Sequence, residues 1–292
     1  MGISCRPRII ELICLLLAIM TLNGCSSTRL AYRFADTGVI WWVEDYVTLT
    51  HAQTSALKRD LGVLRDWHCG AELPRYADWL ADLEQEVGDG NLPPPRIAHY
   101  RSRAIQFSEP LAARIVPAAT RLLESLSDEQ VEELLANMRI RHQETRKEFL
   151  EDDTPEKAAA RTRERVERWL GPLNPQQQVI IRQWTSERAP RTRIWLEGRA
   201  LWQAAFAQLM ADRDADDFRV RLRDLILQHD RYRGDAYPAM MEANIQSVTR
   251  LTHDLLSAAE ERHWQHLRGE ANELRGDLVA LACAVENTAS LN

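Results

Sequence analysis

The chain has 292 residues, 45% apolar and 27% charged, with a formal net charge of −6. This excludes a disordered chain, which needs low hydrophobicity and high net charge, and the acidic balance argues against nucleic-acid binding. Gly and Pro number 12 each and fall mostly in clusters, so long stretches carry no breaker and read as helix.

The first 24 residues read as a signal peptide, removed before folding. Arg6 and Arg8 give a positive start, and Ile9 to Met20 is apolar apart from Glu11, too short to span a bilayer comfortably. Leu22-Asn23-Gly24-Cys25-Ser26 then looks like a bacterial lipobox, in which the Cys25 thiol takes a diacylglycerol and small Gly24 precedes the cleaved bond. A plain signal peptide or an uncleaved anchor is the alternative. Sorting of such lipoproteins implies that Ser26, rather than Asp, after the lipidated cysteine directs the chain to the outer membrane, facing the periplasm. No later run of 18 apolar residues offers a membrane span, so the lipid would be the anchor.

The mature part divides provisionally at a Gly/Pro-rich loop, Gly88 to Pro95, into an N-terminal region (25–92) and a main helical part (93–292), which can also form one continuous domain. Leu30 to Val47 is dense in large apolar residues, and its Phe34, Trp41, Trp42 and Tyr46 are candidates for contact with a membrane interface or a partner, with ordinary packing as the simpler reading. A helix is expected over about 50–67, a break at Gly70 and Pro74, and a helix over 75–87. Next come 96–125, bent at Pro110 and Pro117, and 127–150. Thr154 and Pro155 have the residue types of an N-cap and first helical position, and Gly171-Pro172 stops that helix. A long helix over about 174–211, kinked or broken at Pro190, would carry Trp184, Trp195 and Trp202 within about 20° of one another. That stripe reads as a core face before a ligand platform. Helices near 215–232, 236–256 and 258–285 complete the chain, the last with an apolar seam of Leu267, Leu274, Leu278, Leu281 and Val285. The expected fold is all-α, an elongated or curved multi-helix bundle with capped helical hairpins.

One pattern recurs four times: Leu, a capping residue, two more residues, then Gln or Glu. The copies are Leu49-Thr50 with Gln53, Leu126-Ser127 with Gln130, Leu173-Asn174 with Gln177, and Leu256-Ser257 with Glu260. Each has the form of a capping box, in which the cap side chain accepts from the N3 backbone and the N3 side chain reaches back to the cap's N–H. Capping boxes are common, and a helix can also run through the fourth copy.

The two central copies resemble the paired LTxxQ motifs of the Spy/CpxP group of periplasmic proteins. Leu126, Ser127 and Gln130 match one motif, and Leu173, Asn174 and Gln177 the other. The resemblance covers about residues 120–212 and implies an all-helical cradle and a chaperone-like role. The whole chain resembles a group of uncharacterised proteobacterial lipoproteins with a lipobox, a segment like Tyr32 to Asp36 followed by Trp42 to Tyr46, and helical repeats. That likeness implies the location and the helical fold, and no activity.

Two cysteines remain after Cys25. In an oxidising periplasm Cys69 and Cys283 can form a disulfide tying the N-terminal part to the last helix; two buried free thiols are the alternative. No phosphate loop, nucleophile elbow, H-E-x-x-H or C-x-x-C is present. His253, His263 and His266 could in principle hold a metal, but His263 to His266 reads more simply as a solvated helix face. Asp152-Asp153 and Asp216-Asp217 suit helix starts, and Arg161 to Arg168, interleaved with Glu164 and Glu167, reads as an exposed ion-pair face before a functional basic surface. The sequence thus predicts no cofactor, no metal and no small-molecule substrate. It points to a non-catalytic, lipid-anchored envelope protein that binds unfolded or envelope proteins, or else to an assembly accessory docking one envelope partner.

Overall fold

The computed structural model describes residues 27–88 and 92–283; the signal segment with Cys25 and the last seam position, Val285, lie outside them. The described residues are all-α. The elements are α1 (Ser27–Arg33), α2 (Ala35–Glu44), α3 (His51–Trp67), a π-helical turn (His68–Glu72), α4 (Leu73–Gly88), α5 (Pro94–Gln106), α6 (Ser108–Glu124) and α7 (Asp128–Arg146). A second π turn (Lys147–Glu151) leads to α8 (Pro155–Leu170), α9 (Pro175–Ser186), α10 (Ala189–Ala211), α11 (Phe218–Leu227), a short 3-10 turn (His229–Tyr232), α12 (Ala236–Ser257) and α13 (Glu261–Leu281).

Proline sets several of these limits, because its ring clashes with the carbonyl four residues back. Four residues before Pro110 is Gln106, the last residue of α5, and four before Pro190 is Ser186, the last of α9. The expected bend at Pro110 is therefore a helix end with a fresh start at Ser108. Pro117, by contrast, stays inside α6. The break expected near Gly70 and Pro74 does not occur. The Leu73 N–H reaches back to the His68 carbonyl, and this wider turn carries the chain from α3 into α4 without a loop.

The helices meet around four apolar clusters rather than one core. Val47, Leu126, Val131, Phe206, Met210, Phe218 and Leu222 form one, and Ile97, Leu170, Leu173, Ile181, Leu251, Leu255 and Trp264 a second. Cys69, Leu73, Leu80 and Leu278 make a third, and Ile40, Leu57 and Leu61 a fourth. The apolar seam of α13 serves two of them: Leu267 packs on the second, and Leu274, Leu278 and Leu281 on the third. Helices on either side of residue 92 pack together, α3 on α6 and α4 along α13. At Gly198 a Cβ would lie 2.8 Å from the Tyr237 ring and 3.0 Å from the Arg233 carbonyl, so only glycine lets α10 approach the start of α12 this closely.

Cys69 and Cys283 are bonded, with Cα atoms 5.1 Å apart, and the Cys283 N–H donates to the Cys69 carbonyl at 3.1 Å. The bridge joins residues 214 positions apart. Closing so long a loop removes chain entropy from the unfolded state worth about 5 kcal/mol. Replacing both cysteines with serine is expected to lower the denaturant midpoint and, because the unfolded chain is then free to expand, to raise the slope, and reductant should shift the native chain but not the variant, as equilibrium unfolding followed by circular dichroism will show.

Candidate functional site

The capping repeats come together in space as two pairs. At the start of α3, the Thr50 hydroxyl accepts from the Gln53 N–H at 3.3 Å, and the Gln53 side-chain carbonyl accepts from the Thr50 N–H at 2.9 Å. Ser127 and Gln130 repeat this at the start of α7. Each glutamine still has its NH2 group. That of Gln53 donates to the Ser125 carbonyl at 2.8 Å, that of Gln130 to the Thr48 carbonyl at 2.7 Å, and the two amides bond each other at 3.0 and 2.9 Å. Each N3 side chain thus caps its own helix and ties down the chain entering the other. Glu133 adds to this by accepting from the Thr48 N–H and hydroxyl, which hold its carboxyl below the ordinary carboxylate range.

Asn174 and Gln177 form the third box, at the start of α9. The fully buried Gln177 amide donates to the Leu255 carbonyl at 3.1 Å, and the Asn174 amide donates to the Ala258 carbonyl at 2.8 Å and to Glu260 at 3.0 Å. The fourth start differs from the sequence reading. Ser257 is the last residue of α12 and caps nothing; no breaker stops that helix earlier, and Leu256 is drawn into the core. The cap is Glu260 itself, with His263 at N3. Nδ1 of His263 accepts from the Glu260 N–H at 2.9 Å, which leaves the proton on Nε2 to donate to the Pro172 carbonyl at 3.1 Å. This neutral imidazole does what glutamine does at the other three starts: one acceptor for its own helix, one donor for its neighbour. The signal was in the sequence, three residues beyond Glu260, but it takes an imidazole to be read as an amide. The pairing also departs from the resemblance. Ser127 is matched with Thr50 and Asn174 with Glu260, so the two LTxxQ-like motifs are not partners of each other.

His263 and Trp264 are buried, so that stretch of α13 is not a solvated face. The three histidines address three different carbonyls: His253 that of Leu92, His263 that of Pro172, and His266 that of Arg168. No group of three potential metal ligands occurs among the described residues. The tryptophans do not form one stripe, because the chain breaks between α9 and α10. Trp184 donates to Ser247 at 2.8 Å, Trp202 to the Leu225 carbonyl at 3.1 Å while stacked on Phe206, and Trp195 packs edge-on against Phe149.

In the aromatic N-terminal stretch Arg29 and Asp36 pair with neighbouring helices, while Arg33, Glu44 and Asp45 are exposed. Arg29 on α1 pairs with buried Asp277 on α13 at 2.6 Å, and Asp36 on α2 pairs with Arg65 on α3 at 2.6 Å. Ile40 and Val43 pack on the same inner side. Leu30, Phe34, Trp41 and Trp42 are 56%, 61%, 67% and 62% exposed. Tyr46, the fourth aromatic expected there, is half-buried against the first core cluster and packs edge-on against Trp42.

The basic run on α8 is not an internal ion-pair face. Among the described residues Arg161 pairs with Asp153, through two contacts of 2.9 Å, and no ion pair joins Glu164 or Glu167 to the run. Asp153 thus binds an arginine two turns into α8 rather than serving only the helix dipole, while Asp217 sits at the start of α11 without a side-chain cap bond. Open grooves lie between α8 and α9, about 330 Å³, and between α6 and α11, about 500 Å³. In the second, Arg121 and Arg219 are paired with Asp60 and Glu124.

Residues 45–237 match a family of unknown function (DUF6279), and since they make up well over half of the chain, it belongs to that family. The matched span takes in Thr50, Ser127 and Asn174 and stops short of Glu260. No curated protein and no solved structure matches the chain.

Two substitutions separate a plain cap from a crossed one. Thr154 caps only its own helix, so Thr154→Ala is expected to cost about 1 kcal/mol. Gln177→Ala strips the buried N–H of Asn174 and the carbonyl of Leu255 of their partners, and about 2–4 kcal/mol is expected in urea unfolding. His263→Gln should retain most of the native stability, whereas His263→Ala should resemble Gln177→Ala.

Proposed function

We propose that the chain is a non-catalytic binding protein of the bacterial envelope, held at the outer membrane by lipid on Cys25, with the α1–α2 face seated on the bilayer surface. The observation that carries this reading is the exposure of Leu30, Phe34, Trp41 and Trp42 together on α1–α2, a stretch tied to the helices beneath it by the Arg29 and Asp36 ion pairs. A segment stabilised only by its own fold would bury more of these large apolar groups. An exposed cluster of large apolar groups instead marks a contact surface. Tryptophan beside a lipid attachment point suits the membrane interface, where its ring is apolar and its N–H stays wet. Cys25 lies five residues before Leu30 in the sequence, so acyl chains on it would bring this face to the headgroups. A second attachment fixes the orientation in which the remaining helices meet a protein partner.

Of the two binding roles, the accessory docking in one orientation is better supported than the chaperone-like one. Apart from α1–α2, the exposed large apolar residues, such as Val63, Ile140, Val179 and Val220, are dispersed over separate helices, as on any soluble surface. The motifs that resemble Spy and CpxP have their polar groups engaged in internal bonds, which supports a role in holding helices together.

The test uses the mature chain, residue 25 onward, with Cys25→Ser, and sedimentation with phosphatidylglycerol–phosphatidylethanolamine vesicles. Binding is expected, with a loss of about tenfold in the Trp41→Ala/Trp42→Ala variant, whose stability should stay within about 0.5 kcal/mol because both rings are exposed. Equal binding by the variant, or none by either protein, would overturn the seating. Suppression of aggregation of two unrelated reduced clients at near-stoichiometric ratio would return the chaperone-like role to first place.

A further inference from the structure

Where α9 gives way to α10, three arginines gather around Arg188. Arg188 sits at the start of α10 and Arg191 in its first turn, while Arg161 and Arg165 come from α8. Arg161, Arg165 and Arg191 all act electrostatically on Arg188, and Asp153, which acts the other way, is already engaged by Arg161. Burial first, and then this repulsion, push the Arg188 guanidinium below its ordinary pKa. The start of a helix is also positive, so two arginines there stand where carboxylates are normally favoured, and no side chain caps this helix.

Arg191 is the informative residue. Its Nε and Nη2 atoms are buried and have no hydrogen-bond partner among the described residues. These two N–H groups form one edge of the guanidinium, the edge that grips two oxygens of a phosphate or carboxylate at once. Leaving both buried and unpaired, with Arg188 close by, is costly unless something negative completes the site. The neighbouring guanidinium groups are held in place: Arg188 lies 4.9 Å from the Trp184 ring centroid and Arg161 5.1 Å from that of Phe149. Arg165 is exposed, which opens the cluster to solvent.

We infer that Arg161, Arg188 and Arg191, with Arg165 at the mouth, form a binding site for a phosphate-type oxyanion. The unpaired edge of Arg191 supplies the bidentate grip, and the surplus of guanidinium groups favours an anion of more than one charge. Such a group can be free or carried on a lipid headgroup. The site is separate from the aromatic face of α1–α2, so its test does not depend on that reading.

The probe is inorganic pyrophosphate, titrated into the full-length chain in detergent at constant ionic strength and followed by calorimetry and thermal unfolding. Saturable one-site binding and a rise in melting temperature are expected. Arg191→Lys keeps the charge but loses the two-pronged edge and should weaken binding about tenfold or more. Arg163→Gln, on the other side of α8, should bind as the native chain does. Arg191→Met removes an unpaired buried cation, so without pyrophosphate it should melt no lower than the native chain, and with saturating pyrophosphate it should melt lower. That reversal would not follow from a merely structural role. A parallel arm compares detergent-free chain on vesicles with and without phosphatidic acid: preference for phosphatidic acid, lost in Arg191→Lys, assigns a lipid source, and pyrophosphate binding without it assigns a free one. Absence of saturable binding in both arms, or equal binding by Arg191→Lys and the native chain, would overturn the site.

Discussion

A helix start brings backbone N–H groups with no partner of their own, and two helices that start against one another need those groups satisfied. Here the solution is a side chain with an acceptor on one side and a donor on the other. The acceptor closes the box on its own helix, and the donor takes a carbonyl of the segment entering the opposite helix. Gln53 with Gln130 and Gln177 with His263 do this twice, at two places in the chain. The first two apolar clusters each lie beside one of these junctions: Leu126 and Val131 flank one, Leu173 and Leu256 the other. The polar crossings therefore set where the helices start, and the apolar residues next to them are placed as a result.

Much of this is readable without coordinates, for a physical reason. A cap acts within four residues, and a proline acts on the carbonyl four residues behind it, so both leave their signal locally. Thr50, Ser127, Asn174 and Thr154 are caps where their residue types say so, and α9 ends where Pro190 requires. What is lost is anything decided at a distance. Which cap faces which depends on helix packing, so sequence likeness pairs Ser127 with Asn174 while the fold pairs each with another. Glu260 is hidden because the preceding helix runs past Ser257 and because histidine takes the place of glutamine. The arginines on α8 read as self-compensating from their spacing to Glu164 and Glu167, yet Asp153 from the preceding loop and Arg188 and Arg191 from another hairpin decide their surroundings.

The two surfaces that the fold does not account for have opposite characters. One is apolar and aromatic, at the N-terminal end of the described chain; the other is cationic and partly dry, at the α9–α10 joint. The first leaves large rings in solvent, and the second buries cationic N–H groups without a partner. In both places the arrangement is held by otherwise ordinary interactions: ion pairs under α1 and α2, ring stacking under Arg161 and Arg188. Such support keeps a local conflict from relaxing, and that separates a maintained surface from a defect.

The Cys69–Cys283 bond makes most of the described chain a covalent ring, leaving only α1 to α3 outside it. A cut at an exposed position such as the Asp152–Thr154 connection would open the ring without releasing a fragment, so a nicked molecule would migrate as a single chain until reduced.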